Sequence, residues 1–179
     1  MKKLSSILFA SLTLILLIEI AHSQPQKTQK KDLVQLTVEQ QWKRSIWLFD
    51  SIQIAAIRHA KSLGKSAEDY GKFVGELFAP SWEGVTSPWG MIRGMHRNYQ
   101  LWPDFEMEII QESDNAVKAR FNRPYIIRFG DDGTVYDVSL SEYEKIFKVF
   151  HQTVASHLGF DYKQNLDGDW NVITISRKK

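Results

Sequence analysis

Cysteine is absent from the 179 residues. Its absence excludes disulfides, thiolate metal sites, a cysteine nucleophile and a lipidated cysteine anchor. Charge of one sign is also lacking: 23 Lys and Arg stand against 21 Asp and Glu, a net charge of +2. Such a balance supplies no field to steer nucleic acid or an acidic partner. Glycine and proline are sparse, at 10 and 5 residues, and 43% of the chain is hydrophobic. Collagen, low-complexity chains and highly charged disordered chains are therefore excluded. The sequence has no Walker loop, dinucleotide fingerprint, nucleophile elbow, EF-hand loop or His-Glu-x-x-His. Asp131-Asp132-Gly133 and Asp167-Gly168-Asp169 are too short for a calcium loop and read as hairpin turns. No metal site is expected.

What is present begins with an export signal. Met1-Lys2-Lys3 is basic, Leu4 to Ile20 is nearly uncharged and apolar, and Ala21-His22-Ser23 places small residues before Gln24. This order predicts a secretory signal peptide over residues 1–23. The clean apolar stretch from Ile7 to Ile18 is shorter than the about 20 residues that span a bilayer, so no membrane attachment is expected after cleavage. A periplasmic or extracellular location is predicted, bacterial in type. Polar residues 24–32 read as a tether, and 33–179 as a single domain.

Within that domain the hydrophobic period is first helical and then strand-like. Thr37 and Gln40 form a capping box before a wide apolar stripe ending near Gly64, which predicts a largely covered first helix. Ser66 opens a second helix that Pro80 ends, and Ser87-Pro88 opens a third running to about Leu101. Alternation over 105–110 and 117–121 around Ser113-Asp114-Asn115 predicts a hairpin, with Glu106 and Glu108 facing Lys118 and Arg120. Tyr125 to Phe129 reads as a short strand. Ser141 and Glu144 predict a capping box for a fourth helix with Tyr143, Ile146, Phe147, Phe150 and Val154 on its core side. A terminal hairpin turns at Gly168. The fold class is α+β: three N-terminal helices, then hairpin-helix-hairpin forming an antiparallel sheet.

From Phe121-Asn122-Arg123-Pro124-Tyr125 onward the chain resembles hydrolases of the L-2-amino-thiazoline-4-carboxylate hydrolase type. That family has a helical part, a hairpin ending in Cys-Pro-aromatic, a helix, and a strand pair about a Gly-Asp turn. Here the last turn reads Asp167-Gly168-Asp169-Trp170-Asn171-Val172. The hairpin-helix-hairpin ending is also similar to small-molecule sensor domains of the 4-vinyl-reductase-like class. The likeness covers residues 105–176 and implies a fold. Arg123 stands where the family has a cysteine before the proline, and Asn171 stands in the last strand where it has another. The likeness therefore implies no particular activity.

Candidate site residues come from the third helix and its exit. Trp89, Ile92, His96 and Tyr99 recur at helical spacing, and Gly90 and Gly94 allow a ligand or another backbone to approach. Trp89, Met95, His96, Tyr99 and Trp102 are expected to line a pocket between this helix and the sheet, with Arg123 among arginines able to hold a carboxylate. The predicted function is binding of a small apolar or aromatic molecule. The alternatives are a cysteine-free hydrolase pairing His96 with a carboxylate such as Glu108, and an envelope interaction protein without a pocket. The sequence identifies no cofactor, no oligomeric state and no certain enzyme activity.

Overall fold

A computed structural model describes residues 34–178. The expected signal peptide and tether lie outside the described residues. Helix α1, Val38–Ser62, starts as the sequence predicts: Gln40 N donates to Thr37 Oγ1 at 3.2 Å and Thr37 N to Gln40 Oε1 at 2.9 Å. Two backbone donors that the first turn leaves unpaired are thereby satisfied. The expected wide covering is not found. Ile46, Ile54 and Ile57 are buried, but Trp42, Trp47, Leu48 and Ile52 are exposed. Only one stripe of α1 is buried; at the extra apolar positions cover is partial, with Trp42 Nε1 donating to the Leu101 carbonyl at 2.8 Å and Arg128 lying over the Trp47 ring.

Helix α2, Ala67–Phe78, is capped by Ser66, whose partner is Asp69. A single 3-10 turn at Ala79–Trp82 follows, and α3, Pro88–Tyr99, then starts from Ser87 with proline in its first turn. The buried face of α3 is Pro88, Met91, Ile92, Met95 and Tyr99. A Cβ on Gly94 would stand 2.5 Å from the Trp82 ring. What approaches this glycine is therefore an aromatic side chain rather than another backbone.

Strands β1, Met107–Glu112, and β2, Ala116–Phe121, form the first hairpin. Glu108 is opposite Arg120 and paired with it at 2.6 Å, while Lys118 faces Gln111. The register shifts between Ile109 and Gln111. Tyr125 to Phe129 is not a strand. Pro124–Arg128 forms a 3-10 helix, because Pro124 fixes φ for a helical first turn and has no N–H to give a sheet. A two-residue pair, β3 Thr134–Val135 and β4 Val138–Ser139, follows. Tyr136 and Asp137 close it at φ 50° and 61°.

Helix α4, Leu140–His157, is capped two residues earlier than predicted, with Ser139 and Glu142 as the capping pair. Strands β5, Phe160–Asp167, and β6, Trp170–Arg177, complete a sheet of order β1-β2-β6-β5 with antiparallel neighbours throughout. The α+β class follows from this order. Val117, Ala119, Phe121, Ile173 and Ile175 turn the sheet's apolar face inward, and α3 and α4 cover it. Helix α2 packs on α4 at a close seam, where a Cβ on Gly71 would meet the Ile146 carbonyl oxygen at 2.9 Å. Leu36–Lys179 forms one compact unit. Among the described residues, no helix is long and apolar enough to cross a membrane.

Candidate functional site: an aromatic cavity among the helices

An apolar space of ligand dimensions lies between the helices rather than between α3 and the sheet. It holds about 220 Å³ and is apolar over most of its wall. Phe49 and Ile57 enter from α1, Val74 from α2, Tyr99 and Trp102 from the end of α3 and its exit, and Phe147 from α4. Gln53, Phe78 and Asn98 reach solvent at its rim. The wall is built from stacked and edge-on rings. Tyr99 stacks on Trp102 at 5.4 Å, and Phe147 meets Tyr143 edge-on at 5.0 Å. Such contacts favour fixed ring positions over a fluid interior.

His151 is the least expected residue in this wall. It is 4% exposed and lies between Tyr99 and Tyr162, each 5.7 Å away, with Phe150 edge-on at 4.9 Å. Its Nδ1 donates to the Phe147 carbonyl at 2.7 Å. Burial pulls the imidazole pKa down from 6.5 to about 4, and the hydrogen bond to Phe147 opposes this only in part. The ring is therefore neutral at pH 7. Nε2 makes no hydrogen bond among the described residues.

Beside the cavity, Asp50 is 1% exposed and accepts from the Tyr143 hydroxyl at 2.8 Å. Burial raises its pKa, against the lowering effects of Tyr143, Trp102 and the Arg128 charge. Trp102 Nε1 stands near enough to help hold that carboxyl down, yet its geometry falls short of a hydrogen bond, and it is buried without a partner among the described residues. Arg128 caps the same end: its guanidinium lies 4.3 Å over the Trp47 ring and donates to Ser51 Oγ at 2.9 Å.

The six residues singled out from sequence fall in different places. Tyr99 and Trp102 line the cavity. Met95 is fully buried in the core but not in the cavity wall. Trp89 and His96 are exposed, and the His96 ring lies 6.0 Å from Phe105. The aromatic stripe expected on α3 is half right: Ile92 and Tyr99 are buried, but Pro88, Met91 and Met95 complete the core face in place of Trp89 and His96. No carboxylate lies within ion-pair distance of His96 among the described residues, and Glu108 is engaged by Arg120. Arg123 is bound to Glu144 at 2.6 Å with both side chains nearly covered.

That ion pair ends a buried polar line. Tyr162 donates to Gln164 at 2.7 Å, Gln164 to Asn171 at 2.8 Å, and Asn171 to the Tyr125 oxygen at 3.2 Å. Tyr125 donates in turn to Glu144 at 3.1 Å. Arg123 and Asn171, far apart in sequence, thus belong to one network. Each of its members is satisfied, which makes it a structural device that fixes β5, β6 and α4.

No family model matches the chain, and no curated protein matches it. Among solved structures it is similar to a mutant H-NOX protein from K. algicida in the Fe(II) unliganded state, at 11% identity and a TM-score of 0.39. The alignment covers 63% of this chain, which spans 62% of that protein. Neither family suggested by residues 105–176 is matched by these comparisons.

Proposed function

We propose that the protein is an exported, single-domain binder of a small apolar or aromatic molecule, held in the cavity bounded by α1, α2, α3 and α4. The observation that carries this reading is the cavity itself. About 220 Å³ of space is walled by fixed aromatic rings and contains a buried histidine with an unpartnered nitrogen. An apolar cavity of ~150 Å³ holds a benzene ring, so this one accommodates a substituted ring or a fused bicycle. Tyr99 and Trp102 form its inner wall in this reading, with Phe147 and His151 completing it. Met95 belongs to the core outside that wall, and Trp89, His96 and Arg123 serve packing and surface roles.

Calorimetric titration of indole tests the proposal. The native chain is expected to bind indole. Val74→Phe, which fills the cavity from its α2 side, is expected to weaken binding at least tenfold while thermal melting shows a folded protein. Equal affinity in the two proteins would place the ligand elsewhere.

A further inference from the structure

The cavity presents an entering ligand with ring faces and few polar atoms, and the role of one polar atom is fixed. A carbonyl oxygen can only accept, so the 2.7 Å contact between His151 Nδ1 and the Phe147 carbonyl places the ring proton on Nδ1. A neutral imidazole carries one N–H, which leaves Nε2 as a lone pair. That hydrogen bond, with the rings of Tyr99, Phe150 and Tyr162 around it, sets the orientation in which the imidazole lines the cavity. Among the described residues nothing donates to that lone pair. A ligand that covers it without donating leaves a buried acceptor unsatisfied, which is unfavourable.

We infer that His151 Nε2 determines the specificity of the cavity, selecting small aromatic molecules that carry an N–H or O–H donor, such as indoles and phenols, over rings of the same shape without one. This inference rests on the reading of the cavity as a ligand site. The donor aligns with Nε2, and the ring fills the space between Phe147, Tyr99 and Trp102.

The test is calorimetric titration of indole and of benzofuran into the native chain and into His151→Phe at pH 7. Benzofuran keeps the bicyclic shape and replaces the N–H with oxygen. The native chain is expected to prefer indole by about tenfold or more, as befits one buried hydrogen bond. His151→Phe is expected to bind the two within twofold of each other. If both bind the native chain equally, the inference fails while the cavity reading stands. If neither binds, both fail. An undiminished preference in His151→Phe would assign selectivity to another group and overturn the inference. Should that variant not fold, the ¹⁵N resonance of His151 Nε2 in the native chain replaces it. Indole is expected to move that resonance and benzofuran to leave it, and a resonance unmoved by bound indole overturns the inference.

Discussion

His151 shows how a buried site residue can escape a reading of the sequence. It follows Phe147 by four and precedes Val154 by three, so it lies on the apolar stripe of α4. That position was the available signal. A histidine near the end of a helix fits equally well on a solvated face, and spacing alone does not separate the two. His96 is the converse case: Ile92 and Tyr99 fit a stripe completed by Trp89 and His96 or one completed by Met91 and Met95, and only packing selects the second. The capping of α4 is a third. Ser139 and Ser141 each precede a glutamate by three, so the sequence contains two overlapping boxes. The box at Ser139 forms, and Glu144 is released to bind Arg123.

The buried histidine has a consequence for stability that pH measures. Its folded pKa of about 4 lies below the unfolded value of 6.5. The unfolded chain therefore binds more protons in this window, and the contribution present above pH 6.5 is lost as pH falls toward 4. Between pH 7 and 4.5 the loss amounts to roughly 2 kcal/mol. Asp50 acts with the opposite sign, since burial raises its pKa and proton uptake favours the folded state. Urea titrations of the native chain and His151→Gln at both pH values isolate the histidine, because the Asp50 contribution is common to both. The difference in stability between the two proteins is expected to shrink or reverse at pH 4.5, and a pH-independent difference would show that His151 is not buried neutral.

At the scale of elements, the first three helix starts, the two long hairpins and the helix order were legible because each depends on residues close in sequence. Thr37 with Gln40, Ser66, and Ser87 with Pro88 mark helix starts that the fold uses. The β3–β4 hairpin was not legible, since Tyr136 and Asp137 occupy its left-handed positions without a glycine. Long-range ties hold it instead: Arg58 pairs with Asp137, and Lys61 Nζ donates to the Asp137 carbonyl at 2.7 Å. The glycine pair that matters was also elsewhere. Gly71 and Gly75 let α2 approach α4, whereas Gly94 receives the Trp82 ring. Gly71→Ala gains about 1 kcal/mol of helix propensity. It also sets a methyl against the Ile146 backbone at 2.9 Å, and backbone cannot move aside as a flexible side chain can. Net destabilisation of roughly 1–3 kcal/mol is expected in a denaturant titration. An unchanged or increased stability would show that the α2–α4 seam is looser than described.

For the whole molecule, the sequence was sufficient for the α+β class but not for the position of the cavity. Class follows from the order of helical and strand-like periods. The cavity depends on how α1, α2 and α4 meet, which is set by contacts between residues far apart in the chain. The same helices leave Trp42, Trp47 and Ile52 exposed on α1, where periodicity alone predicts cover. Export is a separate expectation, resting on the basic, apolar and small-residue order of residues 1–23. N-terminal analysis of protein recovered from outside the cytoplasm is expected to find Gln24 first, free or cyclised. An intact Met1 in that fraction would contradict cleavage.

The most direct measurement is a crystal structure of the chain from Gln24 onward, grown in the presence of indole. The expected result is density for one bicyclic ring in the cavity, against Tyr99, Trp102 and Phe147, with its nitrogen toward His151 Nε2. An ordered crystal in which that cavity is empty, or in which indole occupies only another surface, would contradict the account.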